Sequence, residues 1–584
     1  MKVLTNHLGY STQYPKKAVI QCINDEQPDN FSVLDANGKP VLEGKTHHAG
    51  KVAQWNKGDF WVADFSTLKE EGRYTVSAEG KDCHAVSDSF EIRTHLLTMK
   101  MLSSVGYYFK SQRSSGEWLK CDTCLPFKGD RPGSVDAHGG WYDATGDYGI
   151  HLTHLSHSTI YNPQQIPFSV YTFFKVHDLM EQSGNEQYSM IKRRMLDEGS
   201  FGADFLMRMQ APSGSFYRSI NRKDAFGAVA NSRSIGFEYR RSSDQFSEKA
   251  STADNENITD ENYETSLRSG GGLAIAALAI AARHYYPSQE YASSDYINAA
   301  KKAWDHLNTN NLKYTNDGKW NLVDDYCALM AVTELYITTH EYDYLLKSRD
   351  MAERIYSRME RQKPGMSRLY VIPGVPFHHA SDEGMPVLAL LNYAEMEPDK
   401  SRTDTAVTAS EEIMRWKFAI TDRAANPFGY PRLETAHSGV INNQFFFPHR
   451  SAVEPWWQGD NARIASIASA SCKLSKMTAD RKLANRCLKM AQDPLDWIMG
   501  LNPYDACMIE GYGKNNISYF FNDRYDFINC PGGIVNGITS GLEDEDGIEF
   551  ITAPTDAVAD NWRWAEQWIP HASWYLYALA LKQE

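Results

Sequence analysis

The feature that most constrains this chain's fold is a run of twelve segments with apolar residues at helical spacing, joined by connections that alternate between short and long. The segments fall near 97–111, 168–182, 191–210, 270–285, 295–309, 323–340, 344–360, 384–396, 404–417, 460–477, 480–499 and 570–582. Twelve helices in antiparallel pairs can bury their apolar faces by closing into an (α/α)6 barrel, with the long connections gathered at one mouth. These are about 112–163, 211–262, 361–382, 418–458 and 501–569, and loops of that length inside a compact domain are usually functional. The first 95 residues read differently. Short β-rich runs (Lys17–Gln21, Asn30–Leu34, Arg73–Ser77) are separated by turn signals at 35–40, 57–59 and 71–72, as in a small immunoglobulin-like β-sandwich. The expected organisation is therefore multidomain: a sandwich over 1–95 and an all-α barrel over 96–584.

Composition narrows the function. The 584 residues carry a formal charge of -14, so a nucleic-acid footprint of clustered Lys and Arg is not expected; an acidic surface favours neutral or cationic ligands. Aromatic residues make up 12%, which suits a cleft that stacks on sugar rings. There is no apolar signal-like segment at the N-terminus and no run long enough to span a membrane, and nine cysteines fit free thiols in a reducing compartment. The expectation is a cytoplasmic protein with no membrane partner; oligomeric state is not readable.

Within the first long loop, the segment Gly139–Gly149 sets Asp143 and Asp147 four residues apart among glycines and the aromatic residues Trp141, Tyr142 and Tyr148. One carboxylate close to another raises the proton affinity of at least one of the two, as a catalytic base with its helper requires. Solvated turn aspartates are the plain alternative. Glycoside hydrolysis also needs a protonated acid across the scissile bond. In the last long loop, Glu566 lies among Trp562, Trp564 and Trp568, where desolvation would keep it protonated.

These segments resemble glycoside hydrolase family 9, cellulases that often carry an immunoglobulin-like domain ahead of an (α/α)6 barrel. Asn6–Tyr10 and Pro15–Val19 are similar to the opening of that domain, and Gly139–Ala144 to the approach to the paired-aspartate motif. Further similar stretches are Asp204–Gln210 with Gly214–Tyr217, Ala331–Tyr336 with Glu334, Gly500–Pro503, Glu510–Gly513, and Glu566 with Trp574–Leu579. The resemblance implies Asp147 as general base, Asp143 as its helper and Glu566 as general acid in an inverting reaction, for which carboxyl groups roughly 6.5 to 9.5 Å apart leave room for water. It also implies a sugar-contacting acid shortly before Glu566, either Asp560 or Asp556.

Two departures stand out. The family's Asp-Ala-Gly-Asp is interrupted here by Thr145, and its sugar-gripping histidine pair is replaced after Gly513 by Phe520, Phe521 and Asn522. On chemistry alone, His449, Arg450, Trp456 and Trp457 form a second sugar-contacting candidate, and Trp564 a third. No cofactor is expected. Zinc at Cys121 and Cys124 with His138 nearby has no evident fourth ligand, and calcium could only be held by acidic loops without a recognisable binding pattern.

The departures, the acidic tracts at 254–261 and 543–546 and the cytoplasmic expectation resemble a branch of exo-β-D-glucosaminidases. The expected activity is thus removal of β-1,4-linked glucosamine from the non-reducing end of short chitosan- or chitin-derived oligosaccharides. The alternatives are an endoglucanase or cellodextrinase acting on β-1,4-glucan, and a non-catalytic carbohydrate-binding protein. A polysaccharide lyase would need a Tyr or His base and cations for a uronate, which an acidic chain does not offer.

Overall fold

The computed structural model describes residues 1–154, 160–222, 229–237, 258–315, 317–437, 439–448 and 457–582. The N-terminal unit is two antiparallel sheets. One has the order β1 (Lys2–Leu4), β2 (Lys17–Cys22), β6 (Asp59–Asp64), β5 (His47–His48). The other has the order β4 (Pro40–Lys45), β3 (Asn30–Asp35), β7 (Gly72–Gly80), β8 (Cys83–Val86), with β9 (Phe90–Ile92) also paired to β7.

Strand β2 explains how this unit is attached. All six of its residues are buried, although a strand of a sandwich normally leaves alternate residues wet on its outward face. Ala18, Ile20 and Cys22 face the sandwich core, while Val19 points the other way into the core of the second unit. Lys17, on the Val19 face, is paired with Asp493 at 2.8 Å. Trp55 packs among Phe428, Phe445, Phe446 and Trp497, Asn6 bonds Asp496 at 2.7 Å, and Asp505 collects His7, Lys2 and Lys514. The sandwich is therefore built into the larger unit rather than tethered to it.

The second unit begins with α1 (Leu96–Gln112) and the short α2 (Gly116–Asp122), followed by α3 (Ile166–Gln182), α4 (Ser189–Arg208), α5 (Gly272–Ala281) and α6 (Ser293–Asn310). Next come α7 (Leu322–Thr339), α8 (Tyr342–Ser357), α9 (Met385–Met396), α10 (Lys400–Thr421), α11 (Asn461–Met477) and α12 (Arg481–Ile498). The single-turn α13 (Trp562–Ala565) and α14 (Ile569–Leu581) end the chain. Helices α3, α5, α7, α9, α11 and α14 contact one another in that order and close back on α3, while α4, α6, α8, α10, α12 and α1 pack outside them.

Side-chain pattern assigns the layers. In α5 every residue is buried, and its Ala-rich sequence lets neighbours approach closely, whereas α6 buries only the stripe Tyr296, Ala299, Ala300, Ala303, Trp304 and Leu307. This packing order agrees with the expected (α/α)6 barrel. The short connections leave the inner helices at one end, so their N-termini and the long loops gather at the other. Among the described residues no helix is long and apolar enough to cross a membrane.

Candidate active site

The loop carrying the two aspartates is anchored before it reaches them. Gly139 and Gly140 both have positive φ (93° and 69°), and a Cβ on Gly140 would meet the Phe205 ring at 3.0 Å. Trp141 does not wall a cleft. Its ring is wholly buried among Phe109, Phe173 and Phe201, and its Nε1 donates to Glu198 at 3.1 Å, so it is the anchor of the loop rather than a sugar platform. The reason is position: it immediately follows the glycine turn where the chain presses on α4.

Beyond the anchor the backbone closes on itself. Asp143 N–H donates to the Gly149 carbonyl (3.1 Å) and Asp147 N–H to the Ala144 carbonyl (3.1 Å), so both acids belong to one tight turn. Gly149 is where they converge. A Cβ there would lie 3.1 Å from Asp147 Oδ1, 3.4 Å from Asp143 Oδ1 and 2.6 Å from His151 Nε2, a space that only glycine leaves open.

The same turn is tied to the segment bearing Glu566. Thr145 N–H donates to the Gln567 carbonyl (2.9 Å) and Ile569 N–H to the Asp143 carbonyl (3.0 Å). The Thr145 hydroxyl donates to Gln567 Oε1 at 2.7 Å, and the Gln567 amide exchanges two 2.8 Å bonds with the backbone of Cys530. The residue that interrupts the Asp-Ala-Gly-Asp pattern thus helps tie the turn of Asp143 and Asp147 to the segment of Glu566.

The environments of the three carboxyl groups push their proton affinities apart. Glu566 is raised well above the ordinary range by burial and then by the charges of Asp147 and Asp143. Asp147 is raised by burial and by Asp143, although Arg222 at 3.2 Å and the Gly149 amide at 2.8 Å oppose this. Burial pushes Asp143 up as well, but His151 (3.6 Å), His154 (3.7 Å) and Gln165 (3.4 Å) bring it below the ordinary range. Access differs too: the Asp147 side chain is 29% exposed and that of Asp143 only 2%, so Asp147 is the one that can meet solvent. A protonated donor, an ionised helper and an accessible carboxylate are the parts of acid–base catalysis.

Sequence reasoning missed the residues that support this arrangement. His151 and His154 lie in the same loop as the aspartates and could have been noticed as local neighbours. Gln165, Arg222 and Asn536 arrive from other segments and leave no sequence signal, whereas His571 follows Glu566 by only five residues and could have been noticed with it. His571 is buried and held neutral, its affinity pushed down to about 3 by desolvation. Its Nδ1 accepts from Ala462 N–H (2.8 Å), so its Nε2–H donates to Asn536 (2.8 Å), whose backbone amide holds the Glu566 carbonyl (2.8 Å). Among the described residues, Asp143 Oδ1, His151 Nδ1, Gln165 Oε1 and Trp568 Nε1 are buried with no hydrogen-bond partner.

The remaining candidates separate. Tyr148 is 39% exposed and stacks face to face on Trp118 (4.6 Å), whereas Tyr142 is buried at its edge. Trp457 and Trp564 are both buried and meet edge to face at 5.9 Å, so they brace the loops instead of lining a cleft. Asp560 is half-buried and raised by desolvation, and it joins Glu566 and Asp147 in raising the affinity of Tyr519. His449, Arg450 and Trp456 lie outside the described residues, as do residues 254–257 of the first acidic tract. Cys121 and Cys124 are free, Cys124 lies 3.2 Å from the Ser134 hydroxyl, and His138 is turned to Asp136 (2.7 Å). These three do not converge as metal ligands.

Comparison with known proteins gives the family of the chain. Residues 99–527 match the profile of glycosyl hydrolase family 9, and residues 1–82 that of the cellulase N-terminal ig-like domain. A cellodextrinase of Butyrivibrio fibrisolvens is 32% identical over 227 residues, covering 38% of this chain and 40% of that protein. Endoglucanase D of Acetivibrio thermocellus is 24% identical over 387 residues, 62% of this chain and 55% of that protein. The chain thus spans about half the length, or less, of these curated relatives. Among solved structures, a metagenome-derived glycoside hydrolase family 9 endoglucanase superposes with a TM-score of 0.67 at 19% identity, covering 99% of this chain and 98% of the other. A Bacteroides ovatus family 9 protein gives 0.64 at 18% identity over 100% and 99%. The chain belongs to glycosyl hydrolase family 9, with the ig-like domain of its cellulases at the N-terminus.

Proposed function

We propose that this family 9 chain is an inverting glycosidase that hydrolyses β-1,4-linked glucan oligomers. The observation that carries the reading is the convergence of Asp143 and Asp147 on Gly149, bonded through Thr145 to the segment of Glu566, with the three proton affinities driven apart. In this scheme Glu566 protonates the leaving glycosidic oxygen while Asp147 takes a proton from water attacking the opposite face of the sugar; Asp143, kept ionised by His151 and His154, orients that water. Tyr148 on its Trp118 support is the aromatic platform offered to a sugar ring. A cellodextrinase and an endoglucanase among the relatives support glucose as the sugar unit.

The second reading is exo-acting removal of glucosamine from the non-reducing end, in the branch of family 9 glucosaminidases. In this reading Asp560, a half-buried carboxylate six residues before Glu566, would be the group to meet a sugar ammonium. Incubating the protein with the β-1,4 disaccharides of glucose, glucosamine and N-acetylglucosamine decides between the two. Glucose release supports the first reading, glucosamine release the second, and hydrolysis of none of the three, nor of longer oligomers, refutes both.

A further inference from the structure

At the closed end of the barrel, away from the carboxyl groups, two histidines and an aspartate come together. Asp178 stands thirteen residues beyond Gln165, the residue that contacts Asp143, which is roughly 20 Å along the axis of α3. His177 Nδ1 lies 3.2 Å from Asp178 Oδ1, and His284, just past the end of α5, brings its Nε2 to 2.6 Å from the same oxygen. One donor atom from each of the three side chains falls within 4.8 Å of the others.

The orientation of His284 is fixed from two sides. Its ring stacks on Phe174 at 4.9 Å, and its Nδ1 lies 2.9 Å from the Ile280 carbonyl, so Nδ1 carries the proton and donates it. In the neutral ring Nε2 then presents a lone pair to a carboxylate oxygen, and either a second proton or a cation must sit between them. A histidine that donates one nitrogen to a backbone carbonyl and aims the other at a shared point has the supporting geometry of a metal ligand. The positive neighbours are already engaged, Lys175 and Arg283 with Glu334 and Lys192 with Glu181. Glu181 Oε1, 3.9 Å from His177 Nε2, is one turn away on the same helix.

We infer that His177, Asp178 and His284 form a binding site for a divalent transition ion of the zinc type, which staples the end of α3 to the end of α5. Two imidazoles and one carboxylate, with water at the fourth position, are a normal tetrahedral set for zinc. With bonds of about 2.1 Å the ligands stand roughly 3.4 Å apart, so the 3.2 Å pair already fits, the 2.6 Å pair opens, and the two histidine nitrogens, within 4.8 Å of each other, settle to the same spacing when the ion enters. The ion has no part in the glycosidic reaction; it holds two inner helices together.

The test uses the full chain stripped with a chelator and held at about pH 8, where free imidazole is neutral. Zinc is added, and bound metal per chain is measured after gel filtration alongside the melting temperature. One ion per chain and a higher melting temperature are expected. Both should be lost in the His177→Gln/His284→Gln double variant and kept in Cys121→Ser/Cys124→Ser. Cobalt in the wild-type chain gives a readout that does not depend on how the variants fold: visible bands of a nitrogen and oxygen tetrahedral site are expected, without thiolate charge transfer. Failure of the stripped wild type to retain zinc overturns the inference and leaves a hydrogen-bonded pair of His284 and Asp178. Retention unchanged in the folded double-histidine variant, or a thiolate band with cobalt, overturns it as well.

Discussion

Replacing Thr145 by Val tests whether the link between the two halves of the site governs turnover. Valine keeps the shape and the backbone bond to the Gln567 carbonyl but removes the hydroxyl that donates to Gln567 Oε1 at 2.7 Å. Thr145 is 7% exposed and Gln567 fully buried, so water does not replace the lost donor. Oε1 still accepts from Cys530 N–H, which spares it the full penalty of an orphaned acceptor and puts the cost at about 1 kcal/mol. Spread over a chain of 584 residues this barely moves the melting temperature. The catalytic effect should be larger than the stability effect, because a shift of about 1 Å between acid and base is worth roughly 100-fold in rate. We expect kcat on an oligosaccharide to fall about tenfold with KM little changed, since a fraction of that displacement suffices. Thr145→Ser, which keeps the donor, should recover most of it. Wild-type kcat in Thr145→Val, or equal losses in the Val and Ser variants, would refute the reasoning.

The pH–rate profile should be bell-shaped. Activity falls at low pH as Asp147 and Asp143 take up protons, and falls at high pH as Glu566, raised by burial, loses the one it must donate. Glu566→Gln should abolish turnover of natural substrates yet stabilise the fold. With a folded affinity above the unfolded one, Glu566 contributes its full stability only below the ordinary glutamate range and loses it as pH rises, so the variant's advantage in melting temperature should grow with pH. A wild-type alkaline limb in Glu566→Gln, or an advantage that shrinks with pH, would count against this assignment. Gly146→Ala faces a φ of +80° and a Cβ driven into the Phe527 ring; Phe527→Ala in the same chain should relieve the clash but leave about 1–2 kcal/mol of backbone strain, measured by denaturant melts. Asp505→Asn should loosen the sandwich from the barrel by about 2 kcal/mol at neutral pH, an amount reduced by the exposure of Lys2 and Lys514. Since its partners hold Asp505 below the ordinary range, the difference should begin to shrink as pH falls through that range and vanish only below it, where the folded-state carboxyl itself takes up a proton.

Helices were legible in the sequence because their apolar stripes are local and long: α3, α7 and α11 begin and end within a few residues of the periodic segments. The hairpin formed by Met359–Lys363 and Met366–Ile372 was not, since its first strand, Met-Glu-Arg-Gln-Lys, is largely polar and follows a helix without a clear break. Of the candidate site, the three acids could be named from the composition around them. Trp141 was misjudged because an aromatic next to a catalytic acid looks the same in sequence whether it faces a ligand or the core. Arg222 and Asn536 could not be named at all, because their roles exist only once loops far apart in the chain meet at the barrel mouth.

Following the anomeric proton of the newly released reducing end by NMR, from the first minutes of hydrolysis of the β-1,4 oligomer that the protein cleaves, tests the pairing of Asp147 with Glu566 most directly. The arrangement predicts that the α-anomer appears first and only later relaxes towards the equilibrium mixture, because water activated by Asp147 attacks the face opposite the departing oxygen. Initial release of the β-anomer would contradict it.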